Sequence, residues 1–92
     1  MPLNNKQIKA LKTRAHHLKP VVRIGQKGIT ENVLAEISNA LETHELIKIH
    51  IANDDREARR SGISELAKQS GSEIVSMIGK TCTLYRKKAP ES

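Results

Sequence analysis

Gly25-Gln26-Lys27-Gly28 stands between a short apolar run, Val21-Val22-Arg23-Ile24, and a long stretch of helical spacing that opens at Thr30. Strand, glycine loop and helix N-terminus in that order suit an anion. The first turn of a helix leaves backbone N–H groups unpaired and carries partial positive charge. Glycine at either end of the loop lets the backbone approach a ligand closely, because no Cβ intervenes. Lys27 adds a mobile cation, and Gln26 both donates and accepts. Thr30 is placed to cap the helix that follows. This chemistry fits a phosphate backbone. The same glycines also serve a plain strand-to-helix turn, and a motif this short does not choose between the two.

Other residues of reactive type do not assemble into a site. Ile78-Gly79-Lys80-Thr81 matches the end of a P-loop, but the earlier glycine of that pattern falls on Ile74, and strand follows where a helix is needed. A hairpin turn is the simpler reading, with Lys80 free to meet phosphate. His16, His17, His44 and His50 have no metal-ligand spacing with one another or with Cys82, so no metal and no cofactor is expected. Asp54, Asp55 and Glu57 read as turn and cap residues, with Asp54 and Glu57 at capping-box spacing. No nucleophile or pocket accompanies them, and the chain does not read as an enzyme.

Positioning these groups requires seven elements. Residues 4–17 read as a helix, with Ile8, Leu11, Ala15 and Leu18 forming one apolar stripe and Asn4 or Asn5 as its cap. Pro20 ends it, and residues 21–24 form a strand. The second helix runs from Thr30 to about His44, with Val33, Ile37 and Leu41 stepping by four. Residues 46–52 are the clearest strand, Ile47, Ile49 and Ile51 alternating with Leu46, Lys48 and His50. One buried and one polar face predict helices on one side of an otherwise open sheet. Residues 55–70 form the third helix, in which Gly62 suggests a close helix–sheet contact and Gly71 a stop. Strands over 72–78 and 81–87 flank Gly79-Lys80, whose composition favours a type II′ turn. The order is α-β-α-β-α-β-β. Helices between consecutive strands imply parallel pairing by right-handed crossovers, ending in an antiparallel hairpin. The expected fold is a single compact α/β domain over residues 1–92, its ordered core about 4–87, with a mixed four-stranded sheet.

The 92 residues carry a formal net charge of +6, and the sequence pI is about 9.8, a balance that fits a polyanionic partner. Between Met1 and Thr30 no acidic residue interleaves with the basic ones. No run approaches the ~20 apolar residues of a membrane span, and no signal-type segment opens the chain, so a cytoplasmic protein is expected. Cys82 alone cannot form an intrachain disulfide. Tyr85 is the sole Phe, Trp or Tyr, which excludes the stacking platforms of aromatic single-strand binders. Any RNA binding would rest on backbone contacts and shape.

Four segments in series, Leu18-Lys19-Pro20-Val21-Val22, Gly25 to Thr30, Glu45-Leu46-Ile47-Lys48-Ile49 and Leu84-Tyr85-Arg86, resemble the signature of the CRM domain (chloroplast RNA splicing and ribosome maturation). The chain is similar to the bacterial stand-alone, YhbY-type members. That resemblance implies a domain similar to the C-terminal domain of the third bacterial translation initiation factor. It implies RNA binding through the GxxG loop and nearby basic surface, and association with precursors of the large ribosomal subunit. Gly25 and Gly28 match the motif directly, with Gln26, Lys27 and Thr30 between and beside them. The basic footprint is expected to extend, by charge alone, over Lys9, Lys12, Lys19, Arg23, Lys48, Lys80 and Arg86.

The resulting expectation is a monomeric RNA-binding factor, its partner ribosomal RNA in a large-subunit precursor particle, with no membrane involvement. Docking onto an acidic protein surface is the alternative, in which the charge steers association. A duplex-DNA binder ranks third, since no helix-turn-helix pattern is present.

Overall fold

The computed structural model describes residues 3–25 and 28–87. Its elements are α1 (Asn5–Ala15), β1 (Pro20–Ile24), α2 (Glu31–His44), β2 (Leu46–Ile51), α3 (Arg56–Ser70), β3 (Glu73–Ile78) and β4 (Thr81–Tyr85), the order expected from sequence. Each helix starts where a side chain satisfies the first N–H groups. Asn4 accepts from the Gln7 N–H at 2.8 Å while the Asn4 N–H donates to the Gln7 side chain, a full capping box. Thr30 accepts from the Val33 N–H at 3.2 Å. Asp55, not Asp54, caps α3 by accepting from the N–H groups of Glu57 and Ala58. Asp54 turns outward to an ion pair with Lys80. Gly71, at φ +67°, ends α3 in the left-handed region that glycine enters freely.

The sheet order is β1-β2-β4-β3. β1 and β2 pair in parallel, and β4 runs antiparallel to both of its neighbours. The expected direct pairing of β2 with β3 is therefore absent. The connection through α3 carries β3 one place too far, and the hairpin at Gly79 folds β4 back into the gap. Gly79 has φ +57° while Lys80 keeps a negative φ, as a type II′ turn requires. The strand in the gap is enclosed on both faces, with Cys82, Thr83 and Leu84 all buried.

Helices cover both faces of the sheet, where the alternation in β2 suggested one. α2 and α3 pack Ile37, Leu41, Ile63 and Leu66 onto Ile47, Ile49, Cys82 and Leu84 in the main core. On the other face Leu11 and Ala15 of α1 meet Leu46 and Val75, with Ile8 and Tyr85 beside them. The period-two pattern in β2 is real, but Leu46 is a second-face core residue and Lys48 and His50 are only half-exposed. α1 ends at Ala15, so Leu18 falls off the stripe and stays exposed. At roughly 1.5–3 kcal/mol per fully buried large aliphatic side chain, the main core dominates stability and α1 is the more weakly held helix. Among the described residues no helix is long and apolar enough to cross a membrane.

This topology sets one end of the domain apart. β1, β2 and β3 all point the same way, so the β1–α2 loop, the β2–α3 loop and the β3–β4 turn gather at their carboxyl ends. Two hydrogen bonds tie these connections together. The Ala52 N–H donates to the Ile24 carbonyl at 2.9 Å, and the Ile51 N–H donates to the Lys80 carbonyl at 2.7 Å. The N-termini of α2 and α3 open at this same end. In open α/β sheets it is the end where ligands bind.

Candidate nucleic-acid interface

Gly25 follows the last residue of β1, and the Gly28 N–H returns to the Gly25 carbonyl at 3.1 Å. That bond ties the two glycines together across a tight turn; Gln26 and Lys27, the expected phosphate contacts, lie outside the described residues. The two glycines do different work. Gly28 sits at φ +81°, a conformation that side-chain-bearing residues rarely adopt. Gly25 has no such φ, and a Cβ there would meet nothing within 4 Å. Backbone geometry demands glycine at 28, whereas at 25 glycine leaves the outer surface of the turn open to a close neighbour. Thr30 then caps α2, whose first N–H groups, at Glu31 and Asn32, have no carbonyl within the helix to reach. Glu31 stands at this helix start as an opposing charge.

Behind the turn lies a small recess of about 90 Å³, lined by Gly25, Gly28, Ile29, Asn53, Arg59 and Gly62 among others. Gly62 faces the loop and not the sheet. A Cβ built there would sit 3.8 Å from the Ile29 Cδ1, an ordinary contact, so the glycine is not sterically required. Arg59 reaches across from α3. Its Nη1 donates to the Asn53 carbonyl at 2.7 Å, and its buried Nε finds no acceptor among the described residues. Its position beside the loop was not legible from sequence, where it reads as one cation of a helix's polar face.

The remaining expected contacts fall into groups. Lys80 lies in the adjoining turn but is paired with Asp54, whose carboxyl is held below the ordinary carboxylate range by the Lys80 hydrogen bond and charge, with a smaller contribution from Arg59. Arg23 is exposed on the α1 face of the sheet and in register with His50. His50 has a buried Nδ1 without a partner among the described residues. On the same face, Lys12 of α1 and His16 just past its end join Lys48, Ser76, Thr81 and Thr83 around a groove of about 390 Å³. Lys48 also meets Lys19, Arg14 and His17 around a second groove of about 360 Å³. Lys9 is exposed on α1 and lines neither.

Arg86 is the exception. Its guanidinium donates to the Ser38 hydroxyl at 3.2 Å, the Ser38 carbonyl at 2.8 Å and the Ser70 carbonyl at 2.8 Å. It joins α2, α3 and the end of β4, at the end of β4 remote from the glycine turn. The charge that suggested an RNA contact is engaged in holding the helices to the sheet. Cys82 is fully buried, and burial pushes its thiol up to about 12, which leaves it inert at neutral pH.

The class of protein is a small α/β domain with a glycine turn and two helix N-termini at one end of a mixed four-stranded sheet, and a basic, half-covered sheet face under α1. Comparison with known proteins places it more closely. The model of the CRS1/YhbY (CRM) domain family matches residues 3–86, and the chain belongs to that family. It is similar to a protein of Pseudomonas aeruginosa named a probable RNA-binding protein, 47% identical over 95% of this chain and 84% of that one. A protein of Haemophilus influenzae named an RNA-binding protein is 48% identical over 91% of this chain and 85% of its own. The solution structure of a hypothetical protein from Staphylococcus aureus, described as a candidate RNA-binding protein, superimposes with a TM-score of 0.85 at 32% identity, covering 98% of this chain and 94% of that one. None of these relatives is named as an enzyme.

Proposed function

We propose that the protein binds RNA through the Gly25–Gly28 turn and the basic surface around it, and that it acts as an assembly factor on precursors of the large ribosomal subunit. The observation that carries this reading is the placement of the turn. It is closed by its own hydrogen bond and open to approach at Gly25. It also stands between two helix N-termini at the carboxyl end of the parallel strands. Membership in the CRM family and the names of the relatives support RNA as the polyanion. The ribosomal particle is the partner implied by the same family resemblance.

In this reading Gly28 sets the turn, Gly25 lets a phosphate come close, and Gln26, Lys27 and the first N–H groups of α2 hold it. Arg23, Lys48, Lys12, Lys19, Lys9 and Lys80 extend the field that attracts the strand. With one tyrosine and no platform of rings, sequence preference is modest and shape dominates.

The test is a salt-titrated binding curve with fragments of large-subunit ribosomal RNA, with duplex DNA as competitor. Each phosphate that the protein ceases to neutralise lowers the slope of log affinity against log salt by about 0.7 on single-stranded RNA. Lys27→Glu and Gly25→Ala are expected to weaken RNA binding while leaving the melting temperature within a few degrees, on the order of a surface change. Equal binding of RNA and duplex DNA, indifferent to both substitutions, would falsify the turn as the site.

A further inference from the structure

Between α3 and β3 runs a cleft of about 590 Å³, on a side of α3 that resembles any solvated, basic helix face until β3 is placed beside it. Arg56, Arg59, Arg60 and Ser64 form one wall, and Met77 and Gly79 belong to the other. Arginines at relative positions 0, 3 and 4 share a single side of the helix. No ion pair to any of them is formed among the described residues, where Lys80–Asp54 is the one such pair. Arg59 lines this cleft and also the recess behind the glycine turn, so the two are continuous through one side chain. Asp54, which follows Asn53 of the recess lining, is already engaged by Lys80 and feels Arg59 as well.

We propose that this cleft carries the RNA strand onward from the glycine turn, as a second phosphate-binding segment on a face the family motif does not mark. The inference rests on the turn being an RNA site and adds the direction in which the strand leaves it. A phosphate leaving the turn meets Arg59 first. The Asn53 carbonyl fixes one arm of its guanidinium, which holds the charge in place at the junction of recess and cleft. Arg56 and Arg60 lie one turn apart along α3 and supply two more charges with planar forks suited to phosphate. Met77 and the exposed Ile74 give the opposite wall an apolar surface for ribose and base. A cleft of this size takes on the order of one or two nucleotides, the scale of a small-ligand site. Among the polyanions an acidic protein surface could also be drawn here, but continuity with the turn favours the strand the turn holds.

The experiment compares single-stranded RNA of about four nucleotides, enough for a GxxG-type clamp, with RNA of about ten. The wild type, Arg56→Ala/Arg60→Ala and Lys27→Glu are run at several salt concentrations. Arg56 and Arg60 are exposed and alanine is a strong helix former, so the double variant folds, which a melting curve checks. The double variant is expected to bind the short RNA like wild type. It should bind the long one roughly fivefold to tenfold more weakly, with a salt slope lower by about 1.4 because two phosphates go unneutralised. Lys27→Glu weakens both lengths. Wild-type affinity and slope on the long RNA would overturn the proposal, whatever Lys27→Glu does. An equal loss on both lengths would overturn it too, because general basicity and not a continuing track would then explain the effect. Loss confined to the long RNA with Lys27→Glu harmless supports the cleft and overturns the turn instead.

Discussion

Replacing Arg86 separates a fold contact from an RNA contact. Its charge, and its place in the Leu84-Tyr85-Arg86 motif, suggest binding, whereas its three hydrogen bonds hold α2 and α3 to the end of β4. A hydrogen bond to a charged group contributes about 1.5–3 kcal/mol. These three share one half-buried guanidinium and are not additive, so Arg86→Ala is expected to cost about 2–3 kcal/mol in total. A domain of this length has roughly 5–14 kcal/mol of stability, and each kcal/mol moves the midpoint by about 4–8 °C. The melting temperature should fall by about 10–20 °C, read by far-ultraviolet circular dichroism. Arg86→Lys keeps the charge but cannot span two carbonyls and a hydroxyl, and should recover less than half of the loss. RNA affinity, measured well below the lowered midpoint, should equal that of wild type. A variant that melts normally and loses affinity and salt slope as Lys27→Glu does would refute this assignment and return Arg86 to the binding surface.

One further substitution and one chemical probe test the packing. Gly62→Ala places a methyl at ordinary contact distance from the Ile29 Cδ1 inside a helix, so it should stabilise by about 0.5–1 kcal/mol and raise the midpoint by several degrees. A lower midpoint would mean that the loop–helix contact tolerates nothing larger than hydrogen. Cys82 should resist alkylation in the native state at pH 8 and react fully in denaturant, as followed by mass spectrometry. Its folded pKa is raised, so native stability is undiminished below the ordinary thiol range and declines as pH rises from there toward about 12. Prompt native labelling would contradict the burial.

The difference between what the sequence discloses and what it hides follows from how far apart the deciding contacts lie along the chain. The caps, the Gly71 stop, the alternation in β2 and the hairpin at Gly79 depend on neighbours within about four residues, so residue type and spacing reveal them. The sheet order depends on whether β4 or β3 occupies the place beside β2, a choice no local period encodes. The same limit applies to Leu46, which looks like the polar-face partner of Lys48 until α1, more than thirty positions earlier, is laid upon it. Arg86 and Arg59 are the sharpest pair. Both are cations in a basic chain, and charge alone ranks them alike. One finds Ser38 and Ser70 across the fold and is tied down. The other is fixed by a single carbonyl, with its Nε left unpaired beside the glycine turn. Net charge can therefore indicate that a polyanion binds, while the carbonyls that each arginine meets in the folded chain decide which arginines remain to bind it.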